Sequence, residues 1–268
     1  MDYIHGYSTQ EQERLIQQAE YWRSQLILKD LNYAPGDSLL EIGCGVGAVL
    51  GILGTVFPQL QLAGIDLQES QINYARQHLQ TLGLSNVDLQ VGNASRLPWQ
   101  DCSFNHVYAI WFIEHLSNPQ KVLKEARRVL KVGGTITLTE TDYRTILVSP
   151  PSSDYDYLQT ALRELLLQAN GNPYVGQSLG NLLAESGFQQ VKNIPVAVHH
   201  SVSNSRKEFK DFIDYIDSWL APTIPQMVSK LGKNKEKLLA GLQWFHQLTE
   251  QNNGAITVVI YRASGIKK

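Results

Sequence analysis

A glycine-rich turn between an apolar run and a helix constrains the fold of this chain more than any other feature. Residues 39–42 read Leu-Leu-Glu-Ile and predict a short buried strand, and residues 43–47 continue as Gly-Cys-Gly-Val-Gly. Glycines at such a junction let the backbone turn sharply and let a ligand approach the main chain. The helix that follows offers N–H groups at its first turn. The segment therefore predicts a strand–turn–helix unit with a ligand site at the turn.

The alternation of strands and helices that begins at this turn continues to about residue 140. Further strands are predicted at 60–65, 87–91, 105–110 and 135–140, with helical periodicity between them. Strands that alternate with helices form a mostly parallel sheet with helices on both faces. We therefore expect an α/β, doubly wound fold.

The residues before the sheet predict a helix. Ser8 and Glu11 form a capping box, and apolar residues recur at helical spacing behind it. We expect this helix at about 9–30, within an N-terminal helical segment at 1–33.

After residue 140 the regular alternation of strands and helices ends. Helical insertions are expected at about 152–186 and 204–250, and closing strands at 189–198 and 255–261, all within a sheet domain at 34–268. The second insertion carries an apolar stripe of Phe209, Phe212, Ile213, Ile216 and Trp219. Such a stripe indicates packing on the core, cover over a pocket, or both.

Charge and cysteine content exclude several classes of protein. The 268 residues carry a net charge of −2 without a cluster of Lys and Arg, which argues against a nucleic-acid partner. No run approaches the ~20 apolar residues of a membrane span. The two cysteines, Cys44 and Cys102, form no Cys-x-x-Cys pair, and the N-terminus lacks a signal-peptide pattern. We expect a cytoplasmic protein with a small-molecule substrate and no metal site.

Taken alone, the turn leaves three interpretations open. Gly43, Gly45 and Ala48 satisfy the G-x-G-x-x-G/A fingerprint of dinucleotide-binding folds. Asp66 lies at a distance that suits a ribose hydroxyl, whether the ligand is a nicotinamide dinucleotide or another nucleoside. A glycine-rich turn without a ligand is the third interpretation.

The combined pattern resembles the class I S-adenosylmethionine-dependent methyltransferases of the small-molecule type. Residues 39–47 resemble motif I of that family, and further segments follow in the family's order and spacing. These segments are the second-strand acid at 64–66, the adenine-binding turn at 92–98, the fourth-strand region at 103–107 with 114–116, and the turn into the fifth strand at 130–135. A dehydrogenase has no reason to carry the later segments together. The resemblance implies a seven-stranded Rossmann-like methyltransferase fold with S-adenosylmethionine as cofactor.

The resemblance also implies which residues shape the pocket for the methionyl part of the cofactor. These are Glu41 and the backbone of Gly43, Gly45 and Gly47.

For the nucleoside part, the resemblance implies that Asp66 accepts hydrogen bonds from the ribose hydroxyls and that Leu67 packs on the adenine. Asn93 and the Ala94 backbone would address the adenine edge. Asn93 stands where the family commonly has Asp, and its amide oxygen can still accept from the adenine amine.

Three residues outside these motifs are further candidates for cofactor contact. The N-terminal segment resembles a lead-in that closes over the cofactor in some small-molecule methyltransferases, which would place Tyr7 at the sulfonium and let Arg14 support the site. Tyr7 serves equally well as an aromatic that packs the first helix on the core. The ring of Trp111 could stabilise a positive methyl donor.

Methyl transfer is a direct displacement, so positioning can supply about 7–11 kcal/mol of the acceleration. A general base is needed only if the acceptor must lose a proton. Candidates for base or substrate contact lie at strand ends: Trp111, His115, Glu140, Asp142 and Tyr143. We expect His115 and Glu140 as catalytic candidates, and Tyr143, Tyr174 and Glu140 as substrate contacts, although each has a structural alternative.

These features predict methyl transfer from S-adenosylmethionine to a small or medium-sized molecule. A nicotinamide-dependent oxidoreductase and a non-catalytic S-adenosylmethionine-binding protein are the alternatives.

Overall fold

The computed structural model describes residues 4–268, so residues 1–3 of the predicted N-terminal segment lie outside it. Within this range, eight strands form one sheet. The strands are β1 (Ser38–Ile42), β2 (Gln61–Asp66), β3 (Asp88–Val91), β4 (Phe104–Ile110), β5 (Leu130–Thr141), β6 (Leu147–Ser149), β7 (Gln189–Ser201) and β8 (Ala255–Ile266).

The first five strands form a parallel sheet in the order β3-β2-β1-β4-β5. β8 then pairs antiparallel with β5, and β7 pairs antiparallel with β8. The doubly wound, mostly parallel fold is therefore confirmed. The short strand β6 was not expected; it pairs with residues 255–257 of β8 and raises the strand count from the predicted seven to eight.

Helices cover both faces of the sheet. They are α1 (Thr9–Tyr21), α2 (Ala48–Val56), α3 (Glu69–Thr81), α4 (Pro119–Val129), α5 (Ser153–Gln168), α6 (Val175–Glu185), α7 (Arg206–Leu220), α8 (Ile224–Leu231) and α9 (Lys235–Gln247). Among residues 4–268, none of these helices is both long enough and apolar enough to cross a membrane.

Local sequence signals set the starts of several helices. The Ser8 hydroxyl accepts a hydrogen bond from the Glu11 N–H at the start of α1, as the capping box predicts. The Asn118 side chain caps α4 by accepting from the Lys121 N–H, and Pro119 occupies the first helical position, where its missing N–H costs nothing.

Two predicted helices are interrupted. The α-helix predicted at 9–30 ends at Tyr21 and gives way to a π-helical turn, Arg23–Ile27. The helical insertion predicted at about 204–250 is three α-helices. Pro222 and Pro225 lie in the first turns of the segments that follow α7, and Gly232 ends α8 with a left-handed φ of 65°.

The core lies on both faces of the sheet and under the added helices. Leu39 and Leu40 are adjacent on β1, yet they belong to different apolar clusters because successive strand residues point to opposite faces. A third cluster joins α5 and α7–α9 to β6, β7 and β8. Four of the five predicted stripe residues on α7 are buried in that cluster, and Trp219 packs against it partly buried.

This packing predicts that α7 contributes much of the stability. Phe209 is fully buried, so Phe209→Ala should lower the free energy of unfolding by about 3–5 kcal/mol through lost burial and a cavity. Leu239→Ala on the exposed side of α9 should change it by less than about 0.5 kcal/mol. Urea unfolding measures both variants, and equal effects would contradict the role of α7 in the core.

Candidate functional site

The turn after β1 is built from glycines in the left-handed region. Gly43, Gly45 and Gly47 have φ values of 73°, 48° and 72°, which side chains with a Cβ rarely adopt. A Cβ at Gly43 would collide with the ring of Phe112, whereas one at Gly45 would meet no atom of the described residues within 4 Å. Gly43 therefore serves packing, and Gly45 opens onto free space.

That space is a cavity of about 440 Å³. It extends from the turn across the carboxyl ends of β1, β2 and β4 and reaches α5 and α7. Most of the predicted site residues line it: Tyr7, Arg14, Glu41, Gly43, Gly45, Asp66, Leu67, Asn93, Ala94, Trp111, His115 and Tyr143. Three predicted residues are not among the described residues that line it: Gly47, Glu140 and Tyr174.

Asp66 lies at the end of β2, beside the glycine turn. Its carboxylate accepts hydrogen bonds from the Gly45 N–H (3.0 Å) and the Gln68 N–H (2.9 Å). Burial raises the pKa of Asp66, and these backbone donors oppose that rise. The next residue, Leu67, is 53% exposed although it is apolar, so it offers a flat contact surface at the cavity wall.

Asn93 lies in an exposed turn after β3, the strand that pairs with β2. Its Oδ1 accepts a hydrogen bond from the Ser95 N–H (2.8 Å). The oxygen that was expected to accept from an adenine amine is therefore already engaged, and only its second lone pair stays available for that role.

Glu41 is buried in β1 and lines the cavity. Its Oε2 has no hydrogen-bond partner within residues 4–268. Burial raises the pKa of Glu41 well above its usual range, and the nearby Asp66 charge adds to this rise. A buried polar atom without a partner is rare in folded proteins, so this oxygen marks a place where a polar ligand group would fit.

The N-terminal segment closes one side of the cavity. Arg14 on α1 is buried, and its guanidinium donates to both oxygens of Glu11 (2.7 Å each) and to Gln18 (2.7 Å). Tyr7 is half-buried at the wall.

Trp111 follows β4 in a strained conformation. Its φ is 48°, and such strain costs about 1–3 kcal/mol and persists only where the surroundings fix it. Its N–H donates to the Thr139 carbonyl (2.9 Å), and its ring nitrogen donates to the Thr141 hydroxyl (3.1 Å). Both bonds hold the indole against the cavity.

The added helices α5 and α7 form the opposite wall of the cavity. Leu166 of α5 lines it, as do Phe212, Ile216 and Trp219 of α7. The apolar stripe therefore packs the core and covers the pocket at once. Phe209 is part of the core and not among the described wall residues.

The prediction for Tyr174 does not fit the structure. Its ring lies under the Arg144 guanidinium (4.9 Å) and away from the cavity wall, because Asn172 and Pro173 turn the chain there. Arg144 in turn pairs with the buried Asp142 (2.6 Å), which gives that carboxylate a structural role.

The prediction that Glu140 acts as base or substrate ligand also disagrees with the geometry. Its carboxylate is fully buried, and Oε1 accepts hydrogen bonds from the N–H groups of Phe112 (2.8 Å) and Ile113 (2.6 Å). The carboxylate that ends β5 therefore holds the loop after β4, which carries Trp111 and His115.

His115 and Glu114 face the cavity together. Burial lowers the pKa of His115 to about 4, so its imidazole is neutral at pH 7. The sequence predicts no role for Glu114 beyond its place in the segment 114–116, yet it is buried and lines the cavity. Its Oε1 lies 3.5 Å from Nε2 of His115. No sequence signal separates such a carboxyl from an exposed one.

No group of three or more His, Cys, Asp or Glu side chains that could hold a metal ion occurs in the part of the chain that the structure describes.

The buried Glu140 predicts a pH-dependent stability. Burial raises its pKa to about 8, so the folded chain keeps a proton that the unfolded chain releases near pH 4.5. Its contribution to the free energy of unfolding is therefore fully present below pH 4.5 and is lost as the pH rises through about 8. Glu140→Gln keeps an acceptor for both N–H groups but removes the ionisation, so urea unfolding should show a shallower loss of stability with rising pH.

The loss should not vanish in this variant, because the pKa values of Glu41 and Glu114 are also raised. Glu236→Gln, on the exposed side of α9, is the control and should keep the wild-type pH dependence. An unchanged pH dependence in Glu140→Gln would contradict the burial of this carboxyl as the cause.

Known proteins resemble this chain over its central region. A family model described as a methyltransferase domain matches residues 40–138. Over 172 residues, 64% of this chain, the sequence is 30% identical to an uncharacterized 37.1 kDa protein of a Streptomyces fradiae transposon, 49% of which is covered. Over 133 residues, 49% of this chain, it is 30% identical to a demethylmenaquinone methyltransferase of Bacillus cereus, 56% of which is covered. The chain thus spans about half the length of these curated relatives.

The fold also resembles solved structures. Phosphoethanolamine N-methyltransferase 2 of Haemonchus contortus, solved in complex with S-adenosyl-L-methionine, has a TM-score of 0.59 over 92% of this chain and 52% of its own. The two sequences are 17% identical, so this likeness concerns the fold. The matched methyltransferase domain begins within β1 and ends within β5, and this match confirms the resemblance to S-adenosylmethionine-dependent methyltransferases found in the sequence.

Proposed function

We propose that this protein transfers a methyl group from S-adenosylmethionine to a small molecule. The observation that carries the proposal is the open space at Gly45, in a cavity that Glu41 and Asp66 also line inside the matched methyltransferase domain. The Haemonchus contortus relative by fold was solved with this cofactor.

The cofactor half of the cavity fits S-adenosylmethionine by its donors and acceptors. The Glu41 oxygen that has no partner within residues 4–268 would accept from the ammonium group of the methionyl part. Asp66 would accept from the ribose hydroxyls, and Leu67 would lie on the adenine. Further contacts are proposed for the remaining wall residues of this half: Tyr7, Arg14, Gly43, Asn93, Ala94 and Trp111.

When bound, S-adenosylmethionine supplies a methyl group that its sulfonium has already activated. The chain's own part is to orient the acceptor and to exclude water, which suits a cavity that has α7 as one wall. His115, neutral at pH 7, and Tyr143 are proposed to contact the acceptor. Gly47, Glu140 and Tyr174 are proposed to stabilise the structure around the site and not to contact a ligand.

The wall that α5 and α7 form favours a small acceptor over a polymer. α5 and α7 cover the acceptor half of a cavity of about 440 Å³, which leaves room for a small molecule. The net charge of −2 supports a substrate other than nucleic acid. We place the protein in the cytoplasm, because Cys44 and Cys102 are free thiols.

The nicotinamide-dependent alternative receives no support from the fold. The dinucleotide-binding fold joins two parallel halves in the strand order 3-2-1-4-5-6. Here the antiparallel β8 follows β5 in the sheet instead. A non-catalytic binding protein would share the cofactor site, so turnover of a methyl acceptor separates that alternative.

The cavity above Gly45 predicts a matched pair of variants. Gly45→Val should keep the fold and lower the affinity for S-adenosylhomocysteine by at least about tenfold, because the side chain would fill the ligand's space. Gly36→Val carries the same kind of strain, with a φ of 85° and free space around its Cβ among the described residues, but lies outside the described cavity wall.

Isothermal titration calorimetry measures both affinities, and thermal unfolding checks both folds. Equal affinities for Gly45→Val and Gly36→Val would contradict the assignment of the turn to the cofactor.

A second prediction concerns Asp66. Asp66→Ala should weaken S-adenosylmethionine binding by about 1.5–3 kcal/mol, the range for hydrogen bonds to a charged group. Asp214→Ala, an exposed position on α7, is the control and should bind as the wild type does. Calorimetry on both folded variants tests this, and wild-type affinity in Asp66→Ala would refute the ribose contact.

A further inference from the structure

The acceptor end of the cavity has an apolar and largely aromatic wall. Its rings come from the N-terminal segment, the loop after β4 and α7, and β8 adds aliphatic side chains; prominent members are Trp22, Trp111, Phe212, Tyr215, Trp219 and Ile260. Such a wall favours a flat, apolar ligand, because burial of apolar surface and ring stacking both stabilise it.

One carboxyl group interrupts this wall. Glu114 is 3% exposed and lines the cavity, and its Oε2 has no hydrogen-bond partner among the residues that the structure describes. Two other polar groups of the wall are engaged nearby: Arg14 is bonded to Glu11 and Gln18, and the Thr141 hydroxyl accepts from Trp111, whereas the ring N–H of Trp22 has no hydrogen-bond partner among the described residues. Glu114 thus contributes an unpartnered carboxyl oxygen to this end of the cavity, as Glu41 does beside the glycine turn.

The backbone fixes Glu114 from two sides. The Glu140 carboxyl group accepts hydrogen bonds from the N–H groups of Phe112 (2.8 Å) and Ile113 (2.6 Å), the two residues that precede Glu114. The N–H of Asn172 donates to the Glu114 carbonyl (2.6 Å) from the turn after α5. A carboxyl on a main chain held this firmly can select a ligand by geometry, because its backbone cannot shift to suit a poor fit.

The surroundings of Glu114 favour its neutral form. Burial and the Glu140 carboxylate raise the pKa of Glu114 well above its usual range, and only a hydrogen bond with Tyr143 opposes them. His115, the neighbouring base, is itself neutral at pH 7. A neutral carboxyl both donates and accepts a hydrogen bond, whereas an anionic acceptor would bury its charge beside a wall whose cation, Arg14, is already paired with Glu11.

We propose that Glu114 is a substrate-binding residue that selects an uncharged, ring-containing acceptor with a hydroxyl or carbonyl group, and that it excludes anionic acceptors. The inference rests on the proposed function, because it assigns the same cavity its second ligand. A site built to bond a polar group rejects an analogue that lacks it, since the buried carboxyl would then have no partner.

Three probes of one ring size test this selection on the wild-type protein with saturating S-adenosylhomocysteine. They are 2-naphthol, naphthalene, and 2-naphthoate, which is an anion at pH 7.5. Calorimetry should show 2-naphthol bound at least about tenfold more tightly than either of the others. Similar affinities for the three probes, or tighter binding of 2-naphthoate, would overturn the inference.

Variants then assign the selection to Glu114. Glu114→Gln keeps an uncharged group that donates and accepts, so it should keep the preference for 2-naphthol. Glu114→Leu should lose the preference over naphthalene, and Glu236→Leu on the exposed side of α9 should retain it. A folded Glu114→Leu with the wild-type preference overturns the inference, as does a Glu114→Gln variant without the preference.

Different results would refute the proposed function and the role of Glu114. A wild-type protein that binds 2-naphthol selectively but does not bind S-adenosylhomocysteine refutes the proposed function and keeps the assignment of Glu114. A protein that binds S-adenosylhomocysteine but does not distinguish the three probes refutes the assignment of Glu114 and keeps the proposed function.

Discussion

The loop after β4 depends on one buried carboxylate, and both halves of the cavity depend on that loop. Glu140 accepts the N–H groups of Phe112 and Ile113, which would otherwise lack partners at the end of a parallel strand. The Phe112 ring then lies against Gly43, which can accept it only because it has no Cβ. The glycine turn after β1 and the cavity wall after β4 are therefore positioned by the same interaction, although they belong to different strands.

Buried acids lie in the cavity wall and in the loop contacts behind it. The pKa values of Glu41, Glu114 and Glu140 are all raised, chiefly by burial. Carboxyl groups held in this way cost stability in the protein without ligand. A ligand that supplies partners to Glu41 and Glu114 would recover part of that cost, which links binding to folding stability.

The helices added to the sheet serve packing and enclosure at once. The buried side of α7 joins the core through Phe209 and lines the cavity through Phe212 and Trp219. Because the same helix does both, a change of acceptor pocket must keep a well-packed core, and interiors tolerate such changes poorly.

The sequence by itself determined the strand–helix alternation, the glycine turn, and the capped helices α1 and α4, because each depends on local periodicity or on a backbone conformation that one residue type prefers. It also placed Asp66 beside that turn, since parallel strands end at one edge of the sheet.

Only the tertiary structure decided the roles of the buried acids. Glu140 and Glu114 look alike in the sequence, yet one bonds the backbone of a neighbouring loop and the other faces the cavity. Likewise β6 pairs with a strand more than 100 residues away. Such partners are distant along the chain, and packing brings them together through contacts that no local pattern encodes.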